Sequence, residues 1–362
     1  MTGPVTRPAA RPTVAQAATL WDAAPGYLNT SSYGLPPRPA WDALQAALGD
    51  WRTGRTSWEG WARSVEQSRS RFADLLCVPA ATVATGASTS QLLAPVAAGI
   101  PDGSVVLVPD IEFTSNVFPW AVHADRGVRV ITAPTDRFLD AITGDVDVVA
   151  YSAVQSATGE VADVTAIGRA ARAVGALTVV DATQAVGWLP VDVDAADLLV
   201  SHAYKWLCSP RGTAFAVHHP TLAERHPELT LKPLAANWFA AQDIHGSYYG
   251  RPMKLAADAR RFDISPAWHC WVGTDPALRV LAEVGVPAIH AHNLGLATTF
   301  LAALDQPPSD SAIVSVAAGD AAVDRLHAAG VRFGLRAGRV RVAFHLYSTE
   351  DDVELAVRAL RG

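Results

Sequence analysis

Lysine is scarce in this chain of 362 residues: there are only three, Lys205, Lys232 and Lys254, although lysine and arginine together number 29. Arginine therefore supplies almost all of the positive charge. Arginine keeps its proton in proteins, whereas lysine can lose it, and a neutral amine can attack an aldehyde. A lysine placed among apolar residues is therefore a candidate for covalent chemistry in this chain.

Cysteine is also rare. Cys77, Cys208 and Cys270 lie far apart and form no CxxC pair. This spacing excludes a disulfide framework and a cysteine zinc site, so no metal is expected, and it fits a reducing cytoplasm. The N-terminal residues contain no continuous apolar run, so we expect no signal peptide. No stretch approaches the roughly 20 apolar residues of a membrane span.

Two further absences narrow the class of protein. The net charge is −6 and the pI is near 6.0, which does not suggest a nucleic-acid or anionic-membrane surface. Neither GxGxxG nor GxxxxGK[ST] occurs, so a nucleotide-binding oxidoreductase or an ATP site has no support. Half of the residues are hydrophobic and 18% are charged, which is typical of a globular protein with a large core.

From residue 82 onward, apolar runs alternate with helical patterns. The predicted strands are 82–86, 105–111, 128–134, 146–154, 176–182, 197–203 and 213–219. Runs that are apolar throughout, with helices between them, predict an α/β fold with a mostly parallel, seven-stranded sheet flanked by helices.

The pattern changes after about residue 230. Helices near 271–305, short strands at 312–316, 331–336 and 340–346, and a C-terminal helix predict a smaller α+β domain. The predicted organisation is an N-terminal arm (1–25), a large domain (26–250) and a small C-terminal domain (251–362).

The stretch 176–206 carries the strongest chemical signal. Asp181 ends one apolar run, and Lys205 follows a second one 24 residues further on. We interpret Lys205 as the residue that forms a Schiff base with pyridoxal phosphate. Asp181 then holds the pyridine nitrogen protonated, which lets the ring accept electrons. Taken alone, Asp181 is also compatible with a helix cap, and Lys205 with a surface residue beyond a strand.

Other polar groups follow strands at the same edge of the predicted sheet, where open parallel sheets bind ligands. In TGASTSQ (85–91), Gly86 permits an unusual turn, and the amides that follow it open a helix suited to a phosphate. An ordinary helix cap is the alternative. Phe113 ends another strand, where its ring fits either a planar cofactor or the core. Ser201 and His202 are within reach of a phosphate.

The order and spacing of these segments, above all DATQAVG…ADLLVSHAYKWLCSPRG, resemble the class V aminotransferase family of fold-type I pyridoxal-phosphate enzymes. That family includes cysteine desulfurases, kynureninase and isopenicillin N epimerase-like proteins. The resemblance covers roughly residues 26–358. It implies a homodimer whose active site lies at the subunit interface, and a small amino acid that forms an external aldimine with the cofactor.

The resemblance implies roles for five residues around the cofactor ring. Lys205 matches the Schiff-base lysine, and Asp181 matches the partner of the pyridine nitrogen. Gln184 matches the residue that bonds the phenolic oxygen O3′, and Ser156 falls where another neighbour of O3′ or the ring is usual. Phe113 falls at the ring-stacking position.

Five more residues match the parts of the family's site that bind the cofactor phosphate and the substrate carboxylate. Ala87 and Ser88 match the turn that cradles the phosphate, and Ser201 and His202 match further phosphate contacts. Arg341, in RVRVAFHLYSTEDDV, matches the residue that clamps the substrate α-carboxylate, for which a bidentate arginine is well suited.

Two departures from the family pattern narrow the function. Desulfurases of this family resemble EHHAN where this chain has EFTSN (112–116), and phenylalanine cannot transfer protons. They also carry a nucleophilic cysteine on a loop before the carboxylate-binding arginine. Here GLRAGRVR (334–341) has neither loop nor cysteine. We therefore expect no persulfide-forming desulfurase.

The expected function is a PLP-dependent enzyme of aminotransferase or C–S/β-lyase type, acting on a small amino acid or conjugate. An epimerase and a kynureninase-like hydrolase are the alternatives. A non-catalytic PLP-binding protein is a third, against which the presence of both Lys205 and Arg341 argues.

Overall fold

The computed structural model of the protein describes residues 11–362. Residues 1–10, part of the predicted N-terminal arm, lie outside the described residues. In the described part of the chain, one sheet has seven strands and a second sheet has three. Each sheet packs against its own helices.

The large sheet has the strand order β1-β7-β6-β5-β4-β2-β3. All neighbouring strands are parallel except β7, which runs antiparallel to both β1 and β6. The predicted α/β fold with a mostly parallel seven-stranded sheet is therefore confirmed. The strands are β1 (Val83–Gly86), β2 (Val105–Pro109), β3 (Arg129–Ala133), β4 (Val148–Ser152), β5 (Leu177–Asp181), β6 (Leu198–His202) and β7 (Ala214–His218).

The central strands are buried along their whole length. Their sequences are rich in valine and leucine, because a strand covered on both faces needs apolar side chains at every position. Strand β3 lies at the edge of the sheet, and its Arg129 and Ile131 are exposed. The prediction of a buried strand at 128–134 is therefore right about the strand but wrong about its burial, since the edge position leaves one side uncovered.

Helices cover both faces of the large sheet. Helix α4 packs on β1, β6 and β7, whereas α6 contacts β5, and α2 and α3 pack against α8. The helices are α1 (Val14–Ala18), α2 (Arg38–Thr53), α3 (Trp58–Leu76), α4 (Thr89–Ala97), α5 (Phe118–Ala121), α6 (Val164–Val174), α7 (Leu222–Arg225), α8 (Trp268–Val284), α9 (Val286–Ala302), α10 (Asp320–Ala328) and α11 (Glu350–Arg361). None of them is long and apolar enough to cross a membrane.

The small sheet is antiparallel, with strands β8 (Ile313–Val316), β10 (Arg339–Ala343) and β9 (Gly334–Arg336) in that order. The β9–β10 connection is only two residues, Ala337 and Gly338, both with positive φ. Such a short turn fixes the register of the hairpin and hence the position of every side chain on β10. The division of the chain at residue 250 stays a prediction.

The N-terminal segment, residues 28–34, joins the small sheet to the large one. The amide of Leu28 donates to the carbonyl of Arg332 (2.9 Å), and the amide of Ala343 donates to the carbonyl of Leu28 (2.9 Å). These bonds bring residues 29–34 alongside β10 and over the end of β6. The segment thus supplies one wall of the region described below.

A buried ion pair fixes strand β1. Arg69 on α3 contacts Asp263 at 2.6 Å, and both side chains are almost fully buried, with 3% and 1% exposure. Asp263 Oδ1 also accepts a hydrogen bond from the amide of Thr85 at 2.7 Å. The pair therefore holds the end of β1, immediately before the turn at Gly86.

We expect Asp263→Ala to destabilise the fold strongly, because it removes the buried partner of Arg69 and leaves only Glu66, whose side chain is 50% exposed, to balance that charge. Removing one member of a buried pair costs about 3–5 kcal/mol, which corresponds to a fall of about 6 °C or more in the midpoint of thermal unfolding. The matched control is Asp22→Ala, which breaks the exposed ion pair with Arg38 (2.8 Å) and should lower the midpoint by about 3 °C at most. Equal shifts for the two variants would contradict the prediction.

Candidate active site

The parallel strands bring the polar residues that follow them to one edge of the large sheet. Ser152 at the end of β4 lies opposite Asp181 at the end of β5, and Asp181 lies opposite Val200 on β6. Lys205 comes three residues after the end of β6 and is 6% exposed. The fold therefore gathers the predicted aspartate and lysine at this edge.

The amine of Lys205 lies between two aromatic rings. Its Nζ is 5.6 Å from the ring centroid of Phe113 and 5.7 Å from that of Tyr204. Burial lowers the pKa of Lys205 to about 8, and the charges of nearby arginines add to this effect while Asp181 opposes it. A substantial fraction of the amine is therefore neutral, and nucleophilic, near physiological pH.

The carboxylate of Asp181 is buried and has few donors around it. The amide of Thr183 donates to Oδ1 at 2.8 Å. Burial raises the pKa of Asp181, while the hydrogen bonds of Thr183 and the charge of Lys205 lower it. A buried carboxylate in this setting is stabilised by a cationic N–H partner, such as a protonated ring nitrogen.

The side chain of Gln184 is fixed by three neighbours. Its Nε2 donates to the carbonyl of Ser31 (2.9 Å) and to Ser156 Oγ (3.2 Å), and its Oε1 accepts from the indole of Trp206 (2.8 Å). Ser156 also accepts a hydrogen bond from Arg341 (3.1 Å). Gln184 and Ser156 therefore link the lysine-bearing segment to the small sheet.

Arg341 is 1% exposed on β10 and points toward the large sheet. Its guanidinium donates to the carbonyl and hydroxyl of Ser156 and to Ser32 Oγ (2.9 Å). Its Nε is buried and has no partner among the described residues. A buried guanidinium held by neutral groups retains the capacity to bind a carboxylate.

The proposed phosphate contacts come from three adjacent strands. Gly86 on β1 lies opposite Ala214 on β7, which in turn lies opposite His202 on β6. Ser201 Oγ and His202 Nε2 are buried and have no hydrogen-bond partner within the described chain. Burial lowers the pKa of His202 to about 4, so its ring is neutral at pH 7. Buried polar atoms without a partner are rare, and the phosphate contacts expected of Ser201 and His202 stay predictions.

The turn after β1 also caps a helix. Ser88 Oγ accepts from the amide of Gln91 (3.3 Å), and the amide of Ala87 donates to Gln91 Oε1 (3.1 Å). A Cβ atom on Gly86 would lie 2.3 Å from Gln91 Oε1 and 2.7 Å from Leu92 Cγ, so a larger residue would require both side chains to shift. Ser88 thus caps helix α4, which was the alternative interpretation of this turn. The proposed contact of Ser88 with a phosphate stays a prediction.

Sequence reasoning did not find Glu112, although its motif EFTSN was singled out. Its carboxylate accepts from the amides of Ser152 (2.7 Å) and Phe113 (2.8 Å) and from Gln155 Nε2 (3.2 Å). Burial raises the pKa of Glu112, and the nearby Asp181 adds to this effect. Glu112 therefore ties the end of β2 to β4 and fixes Phe113, which is 47% exposed beside Lys205. The signal available in the sequence was that Glu112 directly follows a predicted strand.

Ser32 and Gly34 were missed because they approach from a distant part of the chain, whereas Tyr204 was missed although it directly precedes Lys205. The amide of Gly34 donates to the carbonyl of Tyr204 (2.8 Å), and a Cβ atom on Gly34 would lie 2.0 Å from the carbonyl oxygen of Lys205. Glycine is therefore required for the N-terminal segment to cross so close to the lysine. Among residues 11–362, no group of histidine, cysteine or acidic side chains is arranged to hold a metal ion.

The sheet and the buried lysine at its carboxyl edge are those of a fold-type I enzyme. Residues 52–322 match the family described as Aminotransferase class-V. The chain belongs to this family, and it is accordingly a pyridoxal-phosphate-dependent enzyme.

Individual relatives differ in name. The chain is 30% identical over 298 residues to a kynureninase of Deinococcus radiodurans, covering 76% of this chain and 70% of the relative. It is 32% identical over 206 residues to a probable cysteine desulfurase of Methanothermobacter thermautotrophicus, which is 52% of each chain. It is 29% identical over 248 residues to the uncharacterized aminotransferase YcbU of Bacillus subtilis, covering 66% of this chain and 64% of the relative. The last two matches thus span less than two thirds of the relatives' length.

Solved structures share the fold. A cystine C–S lyase, C-DES, in complex with cysteine persulfide superposes with a TM-score of 0.83 at 18% identity, covering 93% of this chain and 98% of that one. An apo cysteine desulfurase from Thermococcus onnurineus gives a TM-score of 0.77 at 20% identity, covering 92% and 93%. At these identities the likeness concerns the fold alone.

The chemistry of several described residues fits different parts of pyridoxal phosphate. Lys205 presents a partly neutral amine, Asp181 a buried carboxylate, and Phe113 an exposed ring beside the amine. Ser201 and His202 present unpartnered polar atoms for an anion.

We predict that the cofactor-free protein takes up pyridoxal phosphate faster as the pH rises, with a midpoint near the Lys205 pKa of about 8. The reason is that only the neutral amine attacks an aldehyde. Asp181→Asn removes the charge that raises this pKa, so the midpoint moves to lower pH. Stopped-flow absorbance measures the initial rate. A rate that is flat between about pH 7 and 9 would contradict the prediction.

Proposed function

We propose that this enzyme removes the α-proton of a small amino acid or amino-acid conjugate and then acts as a C–S or β-lyase or as an aminotransferase. The observation that carries the proposal is the convergence of three groups. Lys205, Asp181 and Arg341 come from two sheets and meet at one edge, and each is buried.

Each group has a distinct task in the proposed reaction. The guanidinium of Arg341 binds the substrate carboxylate and orients the Cα–H bond. The amine of Lys205, with its lowered pKa, takes the α-proton. Asp181 stabilises a protonated ring nitrogen. Pyridoxal phosphate, when bound, supplies the electron sink for the substrate carbanion. Gln184, Ser156 and Phe113 position the ring, and Ala87, Ser88, Ser201 and His202 hold the phosphate.

The products distinguish the two reaction types. In β-elimination, the α-proton passes to Lys205, the bond from Cβ to its substituent breaks, and water completes the release of a keto acid and ammonia. In transamination, the amino group stays with the cofactor. Incubation of the holoenzyme with a panel of amino acids, including S-substituted cysteines, separates pyruvate plus ammonia from keto acid plus pyridoxamine phosphate. Failure to turn over any member of the panel would refute the proposal.

A kynureninase-like hydrolysis is the second candidate, because the relative that covers three quarters of this chain carries that name. Including L-kynurenine in the same panel tests it. Release of an aromatic amine together with alanine would identify this activity. An epimerase would instead return the enantiomer of its substrate, which chiral chromatography detects.

The absence of a persulfide step is part of the proposal. The β9–β10 hairpin turns in two residues, so no loop at this point reaches the amine of Lys205. Cys208 is buried, and burial raises the pKa of its thiol. Cys77 is exposed, and Cys270 is partly buried, has a raised pKa and donates from its thiol to the carbonyl of Arg211 (3.2 Å). No described thiol is therefore placed to act as the sulfur-accepting nucleophile.

We predict that Cys77→Ser/Cys270→Ser keeps its activity within about twofold of the parent enzyme, because neither thiol takes part in the reaction. Mass spectrometry after incubation with L-cysteine should show no added sulfur on the parent enzyme. A persulfide on either cysteine, together with loss of activity in the double variant, would restore the desulfurase interpretation.

We predict that Arg341→Ala lowers kcat/KM by about 100-fold, because charged hydrogen bonds to the substrate carboxylate are lost. Arg341→Lys keeps the positive charge but loses the planar guanidinium that can form two parallel hydrogen bonds. We therefore expect a higher KM for this variant. The matched control is Arg339→Ala on the same strand, since Arg339 is exposed and bonds Ser315 instead. Similar kinetic losses for the Arg339 and Arg341 variants would count against the clamp.

We also propose that the enzyme is a homodimer in a reducing, cytoplasmic environment. Free cysteines support the environment, and exposed apolar side chains such as Phe118 (61%) and Val122 (70%) near the sheet edge support a subunit contact. Light scattering tests the assembly, and a fully active monomer would exclude it.

A further inference from the structure

A cavity of about 440 Å³ opens beside the proposed active site and plays no part in the chemistry described so far. It lies between the N-terminal segment, the start of α2 and the segment that follows β6. Its lining is mostly apolar and includes Tyr33, Pro36, Trp41, Leu44, Tyr204 and Pro210. We propose that this cavity receives the side chain of the amino-acid substrate and selects one that bears a bulky apolar or aromatic group.

Two residues that line the cavity also lie next to the groups proposed to fix the substrate. Ser32 lines it and also accepts a hydrogen bond from Arg341 at 2.9 Å. Tyr204 lines it and lies 5.7 Å from the amine of Lys205. The proposal places the side chain of a substrate at the Ser32 and Tyr204 side of this cavity, with its carboxylate toward Arg341 and its Cα toward Lys205.

The chemistry of the walls selects the kind of side chain. Tyr33 and Trp41 are 53% and 52% exposed, so two large aromatic surfaces face the open space without a covering group. Aromatic rings pack favourably with one another, and filling an apolar cavity gains affinity with each carbon buried. A methyl or thiol group reaches little of these walls, whereas a benzyl group is large enough to pack against an aromatic ring.

One wall of the cavity carries a positive charge. Arg211 lines it and stacks over the ring of Tyr204, with its guanidinium carbon 4.7 Å from the ring centroid. This stacking holds Tyr204 in place and closes the apolar wall. The walls thus favour a ring.

The inference rests on the proposed function, and S-methyl-L-cysteine and S-benzyl-L-cysteine test it. The two compounds carry the same breakable C–S bond and differ only in the group that enters the cavity. We expect kcat/KM to be about 100-fold higher for the benzyl compound. Equal values for the two compounds, with turnover of both, would overturn this inference and leave the proposed function standing. Absence of both turnover and any change in cofactor absorbance, for these and all other amino acids, would overturn both.

Two variants test whether the preference for the benzyl compound arises in this cavity. Trp41→Ala should reduce the preference for the benzyl compound at least about tenfold while sparing the methyl compound, and Leu44→Trp should do the same by filling the space. The matched control is Trp51→Ala on the same helix, because Trp51 is 61% exposed and outside the cavity. A Trp41→Ala protein that lost both compounds equally and became monomeric in light scattering would show that a second copy of the chain covers the cavity, which would overturn the inference.

Discussion

The removal of one amine from water is the constraint on which this site depends. Lys205 is held under the edge of the large sheet, and burial lowers its pKa to about 8 despite the opposing charge of Asp181. A fully solvated lysine would be almost entirely protonated at neutral pH and unable to react with an aldehyde or accept a proton. The burial that strands β5 and β6 give to Lys205 is therefore needed for the chemistry as well as for the fold.

The close approach of the N-terminal segment completes that burial. Gly34 lies so near the carbonyl of Lys205 that any larger residue would collide with it. The same segment carries Ser31 and Ser32, which bond Gln184 and Arg341. One stretch of extended chain thus covers the amine, orients a glutamine and supports the proposed carboxylate clamp. A change in its path would disturb all three at once.

The large sheet was predictable from the sequence because its central strands are apolar along their whole length and its helices are not. The position of Asp181 and Lys205 at the sheet edge was predictable for a related reason: each is a charged residue at or shortly after the end of such a run. Ser32, Gly34 and the bond from Trp206 to Gln184 were not, since they depend on contacts between segments far apart in the chain. Glu112 is an intermediate case. Its position after β2 was visible, but its bonds to Ser152 and Gln155 follow only from the order in which the strands pair.

The two sheets contribute different groups to the candidate site, and this explains why the cofactor is easier to infer from the sequence than the reaction. The groups around the amine come from the large sheet, and parallel strands bring them to one edge whatever the substrate. The groups proposed to face the substrate come from elsewhere: Arg341 from the short β9–β10 hairpin and Trp41 from the first turns of α2. Neither element is fixed by strand pairing in the large sheet. If these proposals hold, substrate choice can change through the hairpin and α2 while Lys205 and Asp181 keep the same surroundings.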